Sequence, residues 1–179
     1  MTLIFDTSVL YPTAVAGRLE ELSTVTRFQR KVVAPYVVYQ ELERNVSTRP
    51  DLAKALDLPW LEWITEVEGD DGDALAYWEE TLVPRFGPRA GKNRGEAHVF
   101  AYAQSRGWIA VLNDKAMRYA QSSGGRVQAY WLTGLIDRLV PGIWTSRQAS
   151  DFMNALLATG CCRVRMDILK RYSWYAPPD

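Results

Sequence analysis

An α/β fold built on a parallel sheet, with helices over both of its faces, is what this sequence predicts. Three observations predict it. Short apolar runs, LIF at 3–5, VVA at 32–34 and WIAVL at 108–112, have the length and make-up of buried strands. Stretches with helical periodicity alternate with those runs. The links between them are short, as in chains whose parallel strands are connected by covering helices.

In order along the chain, Thr2 to Phe5 reads as a strand ending at Asp6. Gly17 to Arg30 reads as a helix and Lys31 to Ala34 as a second strand. Pro35 sits where a helix begins, because a first-turn residue has no use for its missing N–H. That helix runs to about Asn45. Residues 51–92 break the rhythm and read as an insertion. Between Glu62 and Glu80 it carries eight acidic residues and no basic one, with Trp63, Tyr77 and Trp78 interleaved and Trp60 just before them. It is expected to be solvated, partly helical and packed on its tryptophans. The segment PRFGPRAGKNRG follows, with Arg85, Arg89, Lys92 and Arg94, and leads directly to Glu96. Trp108 to Leu112 is the strongest strand, Asp114 to Gln121 a helix, and Val127 to Ala129 a last core strand. One domain over 1–140 is expected. Residues 141–179 extend it with an amphipathic helix near Ser146 to Leu157, Gly160 as its stop, and the basic tail CRVRMDILKRYSW.

The totals narrow the function classes. A chain of 179 residues is long enough for one real core plus an insertion. Its 21 basic and 21 acidic residues cancel, which argues against coating nucleic acid by charge alone but leaves room for a local basic patch. The start, MTLIFDTSVLYP, has no basic n-region, and no stretch approaches a membrane span. The two cysteines, Cys161 and Cys162, are adjacent, a poor arrangement for a structural disulfide, and read as packing. A reducing cytoplasm is the expected location.

Four acids carry the functional reading: Asp6, Glu41, Glu96 and Asp114. Each lies where a strand ends or near a helix start, and in a parallel sheet ligands bind beyond the carboxyl ends of strands. Glu41 shares a helical face with Val37 and Val38, and Glu96 with Val99, Phe100 and Ala103. A carboxylate facing inward costs several kcal/mol unless its charge is compensated, and converging carboxylates call for a divalent cation. Locally, each acid also has an ordinary role open to it. Asp6 suits a helix N-cap; Asn93 to Glu96 has capping-box spacing; Asp114 suits a cap or a pair with Arg118. Only their joint delivery to one sheet edge distinguishes the readings. His98 stands two residues from Glu96, on a different helix face, and reads as structural. With one histidine, zinc hydrolase motifs are absent, and no dinucleotide fingerprint, P-loop or serine-hydrolase elbow occurs.

Four pieces, IFDTSVL, APYVVYQEL, NRGEAHVFAYA and VLNDKAMRYA, together resemble the PIN-domain family, and within it the VapC-type toxins of toxin–antitoxin pairs. The resemblance covers residues 1 to about 130. It implies a three-layer α/β/α fold around a central parallel sheet of about four or five strands. It also implies an RNA endonuclease in which Asp6, Glu41, Glu96 and Asp114 bind Mg²⁺ or Mn²⁺, with Asp6 and Asp114 as the most direct ligands. Thr7, Ser8 and Asn113 would support that site. On that reading Arg85, Arg89, Lys92, Arg94, Lys115 and Arg118 would hold the RNA backbone, the alternative for the loop being an ordinary exposed basic segment or one neutralised by the acidic insertion. Tyr11 and Trp108 are candidate base-stacking rings, with core packing the readier role for Trp108. A short antitoxin protein and a homodimer are the implied partners besides RNA. Two other readings stay open: a PIN-fold RNA- or protein-binding module without catalysis, and a PIN nuclease outside any toxin–antitoxin pair. A haloacid-dehalogenase phosphatase is disfavoured, because Ser8 stands where that class carries a second aspartate.

Overall fold

The computed structural model of the protein describes residues 1–27, 31–84, 91–162, 164 and 166–178. Five strands form one sheet: β1 (Thr2–Phe5), β2 (Lys31–Pro35), β3 (Glu62–Ile64), β4 (Ile109–Leu112) and β5 (Gln128–Trp131). Every neighbouring pair is parallel and the order is β3-β2-β1-β4-β5. Ten α-helices are described: α1 (Thr7–Val15), α2 (Leu19–Ser23), α3 (Tyr36–Asn45), α4 (Ala53–Leu56), α5 (Asp71–Leu82), α6 (Arg94–Arg106), α7 (Met117–Ser122), α8 (Leu132–Leu139), α9 (Ser146–Ala158) and α10 (Met166–Leu169).

Strand periodicity sorts the side chains into two cores. Leu3, Phe5, Val32, Ala34, Ile109 and Val111 face one side, where α1 to α4 and α8 to α10 cover them. Ile4, Val33, Ala110 and Leu112 face the other, beneath α5, α6 and α7. This is the expected three-layer arrangement. Each fully buried Leu, Ile or Phe contributes about 1.5–3 kcal/mol, so the central strands are fixed from both sides. Residues beyond 140 join the first core: Phe152, Met153, Leu156, Leu169 and Trp174 are buried in it with Leu3 and Phe5.

The local differences from the sequence reading have physical causes. Helix α1 is unanticipated because its apolar residues are spread around it rather than gathered in one stripe, and because it contains Pro12, both of which hide helical periodicity. Gly17 ends that helix rather than beginning the next, with φ of +67°, a conformation that suits glycine. The expected helix from 17 to 30 is therefore the short α2 followed by a 3₁₀ turn at Thr24–Arg27, with 28–30 outside the described residues. Within 51–92, β3 joins the sheet edge, Trp63 standing opposite Ala34, and Lys31 Nζ lies 2.9 Å from Glu62 Oε2. Helix α5 buries Trp78 against Phe100 of α6, ring centroids 4.9 Å apart. So this acidic stretch is less solvated than its charge suggests. Helix α7 begins at Met117, leaving Asp114 in the turn before it.

Candidate metal centre

Asp6 and Asp114 follow β1 and β4, the two central neighbours, at their carboxyl ends. The chain leaves these strands in opposite lateral directions, so a crevice opens there. Asp6 is buried, 2% exposed, and its backbone N–H donates to Val111 O at 3.2 Å, tying the two strand ends together. One carboxylate oxygen, Oδ2, accepts the Ser8 backbone N–H at 2.8 Å and caps α1. The other, Oδ1, is buried with no hydrogen-bond partner among the described residues. The ordinary capping role is thus real, but it occupies half of the group.

Glu96, on the first turn of α6, does not close a capping box. Asn93 is left-handed (φ 66°) and its Nδ2 donates to Leu82 O at 2.9 Å instead. Glu96 meets Asp6 and Asp114: carboxylate oxygens of the three lie within 4.8 Å of one another. Asp114 Oδ1 accepts the Ala116 N–H at 2.8 Å, which fixes the turn after β4. No ion pair with Arg118 forms among the described residues.

Glu41 approaches from α3. Thr7 Oγ1 donates to its Oε2. A Cβ placed on Gly95 would stand 3.2 Å from both Glu41 oxygens and 3.3 Å from Asp6 Oδ1. Gly95 therefore lets the start of α6 close on two carboxylates, and the positive end of that helix dipole partly offsets their charge. Sequence reasoning missed this residue. Its signal was a glycine in the first turn of a helix, where propensity disfavours it.

The electrostatics follow from the crowding. Burial, then the Asp114 charge, push the Asp6 carboxyl up to about 7. Burial, then Asp6 and Asp114, push Glu96 up to about 10. A cation would reverse both tendencies. The donor set fits a hard divalent ion: oxygens only, one of them orphaned, around a gap that a methyl group would crowd. Asp6, Glu96 and Asp114 are the residues able to hold it, with Glu41 beside them.

The expected supporting residues are in contact with this cluster or its frame. Thr7 restrains Glu41. Ser8 donates its backbone N–H to the Asp6 cap, and its Oγ accepts the Asn113 backbone N–H at 2.9 Å, joining α1 to the end of β4. Asn113 is buried, and its Nδ2 donates to Cys162 Sγ at 3.1 Å, so that cysteine packs behind the site. His98 is half-buried, with burial depressing its pKa, and lies near Tyr102 rather than in the carboxylate cluster.

Of the basic residues, Lys92, Lys115 and Arg118 are exposed. Arg94 Nε sits 3.6 Å from Glu79 Oε1, so its charge is partly matched. Arg85 and Arg89 lie outside the described residues. Both candidate stacking rings are half-buried. Trp108 precedes β4 at the opposite sheet edge and lies beneath the Arg106 guanidinium, 5.1 Å from its centroid. Tyr11 is half-buried against the first core.

No family model and no curated protein matches this chain. Among solved structures it is similar to a chain of VapBC2 from Rickettsia felis, in a crystal structure bound to a DNA fragment from their promoter. The identity is 15% and the TM-score 0.51, over 73% of this chain and 98% of that one. At that identity the likeness shows a common fold, and the fold implied by the PIN-domain resemblance is the one observed. No described helix is long and apolar enough to cross a membrane.

Proposed function

We propose that this protein is a Mg²⁺- or Mn²⁺-dependent endoribonuclease, acting as the toxin of a toxin–antitoxin pair. The observation that carries the reading is Asp6, a buried carboxylate with one oxygen lacking a hydrogen bond, clustered with two further acids. Such a group is costly to bury uncompensated, and a bound cation or a proton on the carboxyl would supply the compensation. When bound, a divalent ion supplies Lewis acidity toward a phosphodiester oxygen and activates water for hydrolysis.

The chain's own residues have separable tasks. Asp6, Glu96 and Asp114 hold the ion. Thr7 occupies Glu41 Oε2 and leaves Oε1 as the acceptor for a proton from the attacking water. Ser8 and Asn113 keep the ends of β1 and β4 in register. Lys92, Lys115 and Arg118 hold RNA phosphates, with Arg94 contributing less while Glu79 engages it. A cytoplasmic antitoxin would cover the same acidic crevice and bring its own cation to it. The VapBC2 likeness supports that partnership, and pairing of two copies would be compatible with it.

The test is incubation with total RNA and Mn²⁺ or Mg²⁺, comparing wild type with Asp114→Asn. Cleavage by wild type alone is expected. Equal cleavage by both, or by neither, would remove the assignment.

A further inference from the structure

Three aromatic rings form a ladder on the side of the crevice away from the basic turn. Trp63 is anchored in β3, its Nε1 donating to Leu56 O at 3.2 Å. Tyr39 meets it edge-on, centroids 5.2 Å apart at 85°. Tyr36 stacks on Tyr39 at 5.2 Å with an interplanar angle of 11° and is 41% exposed. Tyr36 is the first residue of α3, so it stands at the carboxyl end of β2. That strand is the neighbour of β1, whose end carries Asp6. Glu41 lies five residues further along α3, about 7.5 Å down its axis. Lys115 and Arg118 follow β4, on the far side of Asp6.

We infer that Tyr36 is a stacking platform for one base of single-stranded RNA crossing this sheet edge. The inference rests on the nuclease reading of the acidic site. A strand laid over that edge passes from the exposed cations at Lys115 and Arg118, over the carboxylates, to the ring of Tyr36. Cations on one flank neutralise phosphates, and an aromatic face on the other receives a base. That division of labour recurs in proteins that bind unpaired strands. Stacking on Tyr39, itself braced by Trp63, holds the Tyr36 ring in one orientation before the strand arrives, so little rotamer entropy is lost on binding. A duplex keeps its bases paired and offers no free face to such a ring, so the platform selects unpaired segments.

The test uses the full chain carrying Asp114→Asn and an unstructured oligouridylate containing one 2-aminopurine, followed by fluorescence and anisotropy. Adding Tyr36→Ala or Tyr36→Leu is expected to weaken binding roughly tenfold and to abolish the 2-aminopurine quenching. Tyr36→Phe is expected to keep both, which separates a ring requirement from mere bulk. In otherwise wild-type protein with Mn²⁺, Tyr36→Ala is expected to raise KM and leave kcat near its original value. Wild-type cleavage, together with an RNA affinity that Tyr36→Ala leaves unchanged, overturns the platform and leaves the nuclease reading intact. Absence of both cleavage and RNA binding in wild type overturns both. Unchanged RNA affinity with lost self-association in Tyr36→Ala marks the ring as a protein contact and overturns the platform.

Discussion

Two buried aspartates at opposite ends of α6 have opposite fates. Asp71 is 1% exposed, yet both of its oxygens are engaged. The Glu68 backbone N–H donates to Oδ2 at 2.9 Å, Arg106 Nε reaches both oxygens at 3.1 and 3.2 Å, and Ser105 Oγ donates to Oδ1. Arg106 is itself held 5.1 Å from the rings of Tyr102 and Trp108. The outcome is a carboxyl held below its ordinary pKa, its burial outweighed by the Arg106 and Ser105 hydrogen bonds. Asp6 is equally buried, with one oxygen capped, the other bare, and two acids for neighbours. Burial alone therefore says little about a carboxylate's purpose. Its partners decide: Asp71 completes its own network and locks α5 to α6, whereas Asp6 keeps one oxygen unpartnered among the described residues.

The sharpest way to break this contrast is to substitute both residues. Asp6→Asn is expected to lower RNA cleavage by at least about a hundredfold, with the metal-free melting temperature unchanged or higher, since repulsion is relieved. Asp71→Ala is expected to do the reverse, costing about 3 kcal/mol of stability by stranding Arg106, while folded protein keeps its metal affinity. Urea unfolding and Mn²⁺ titration of both variants check this. Loss of stability in the first variant, or of metal affinity in the second, would merge the two aspartates into one class.

Gly95→Ala should act between these extremes. Its new methyl group must displace Glu41 or Asp6, so cleavage is expected to fall roughly tenfold with the fold retained. Normal activity in that variant would mean that the approach of α6 is not critical.

The two aspartates should also separate by pH. With Asp6 raised to about 7 and Glu96 to about 10, the folded metal-free chain keeps protons that the unfolded chain has already released. Its stability is therefore greatest in mild acid and falls as pH climbs through about 7 toward about 10. Asp71, with its lowered pKa, contributes stability above its ordinary 3.8 that is lost only as pH falls below that value. A melting profile of chelator-treated protein from about pH 5 to about 9 is expected to slope downward, and Mn²⁺ to flatten it. A rising profile without metal would contradict the crowding at Asp6 and Glu96.

The sequence made β1, β2, β4 and α3 legible because each has a period or a run that only one environment satisfies. It made Asp6, Glu96 and Asp114 legible as a set, though each alone passed for a cap, and Asp6 does serve as one. The hidden parts were those whose chemistry argues against their placement. Glu62 and its acidic neighbours mask the edge strand β3, and Pro12 masks α1. Asn93 and Glu96 have capping-box spacing but do not form the box, because Asn93 is left-handed and its side chain is turned to donate to the Leu82 carbonyl. Gly95 and the Tyr36–Tyr39–Trp63 ladder depend on contacts between distant segments, and no local pattern encodes those.

Calorimetric titration of the chelator-treated protein with Mn²⁺, near neutral pH in buffers of different ionisation enthalpy, tests the central claim most directly. Binding with net release of protons to the buffer, lost in Asp6→Asn and retained by folded Asp71→Ala, is the expected result. No Mn²⁺ binding by wild type, or binding that survives Asp6→Asn unchanged, would show that the crowded carboxylates do not form a cation site.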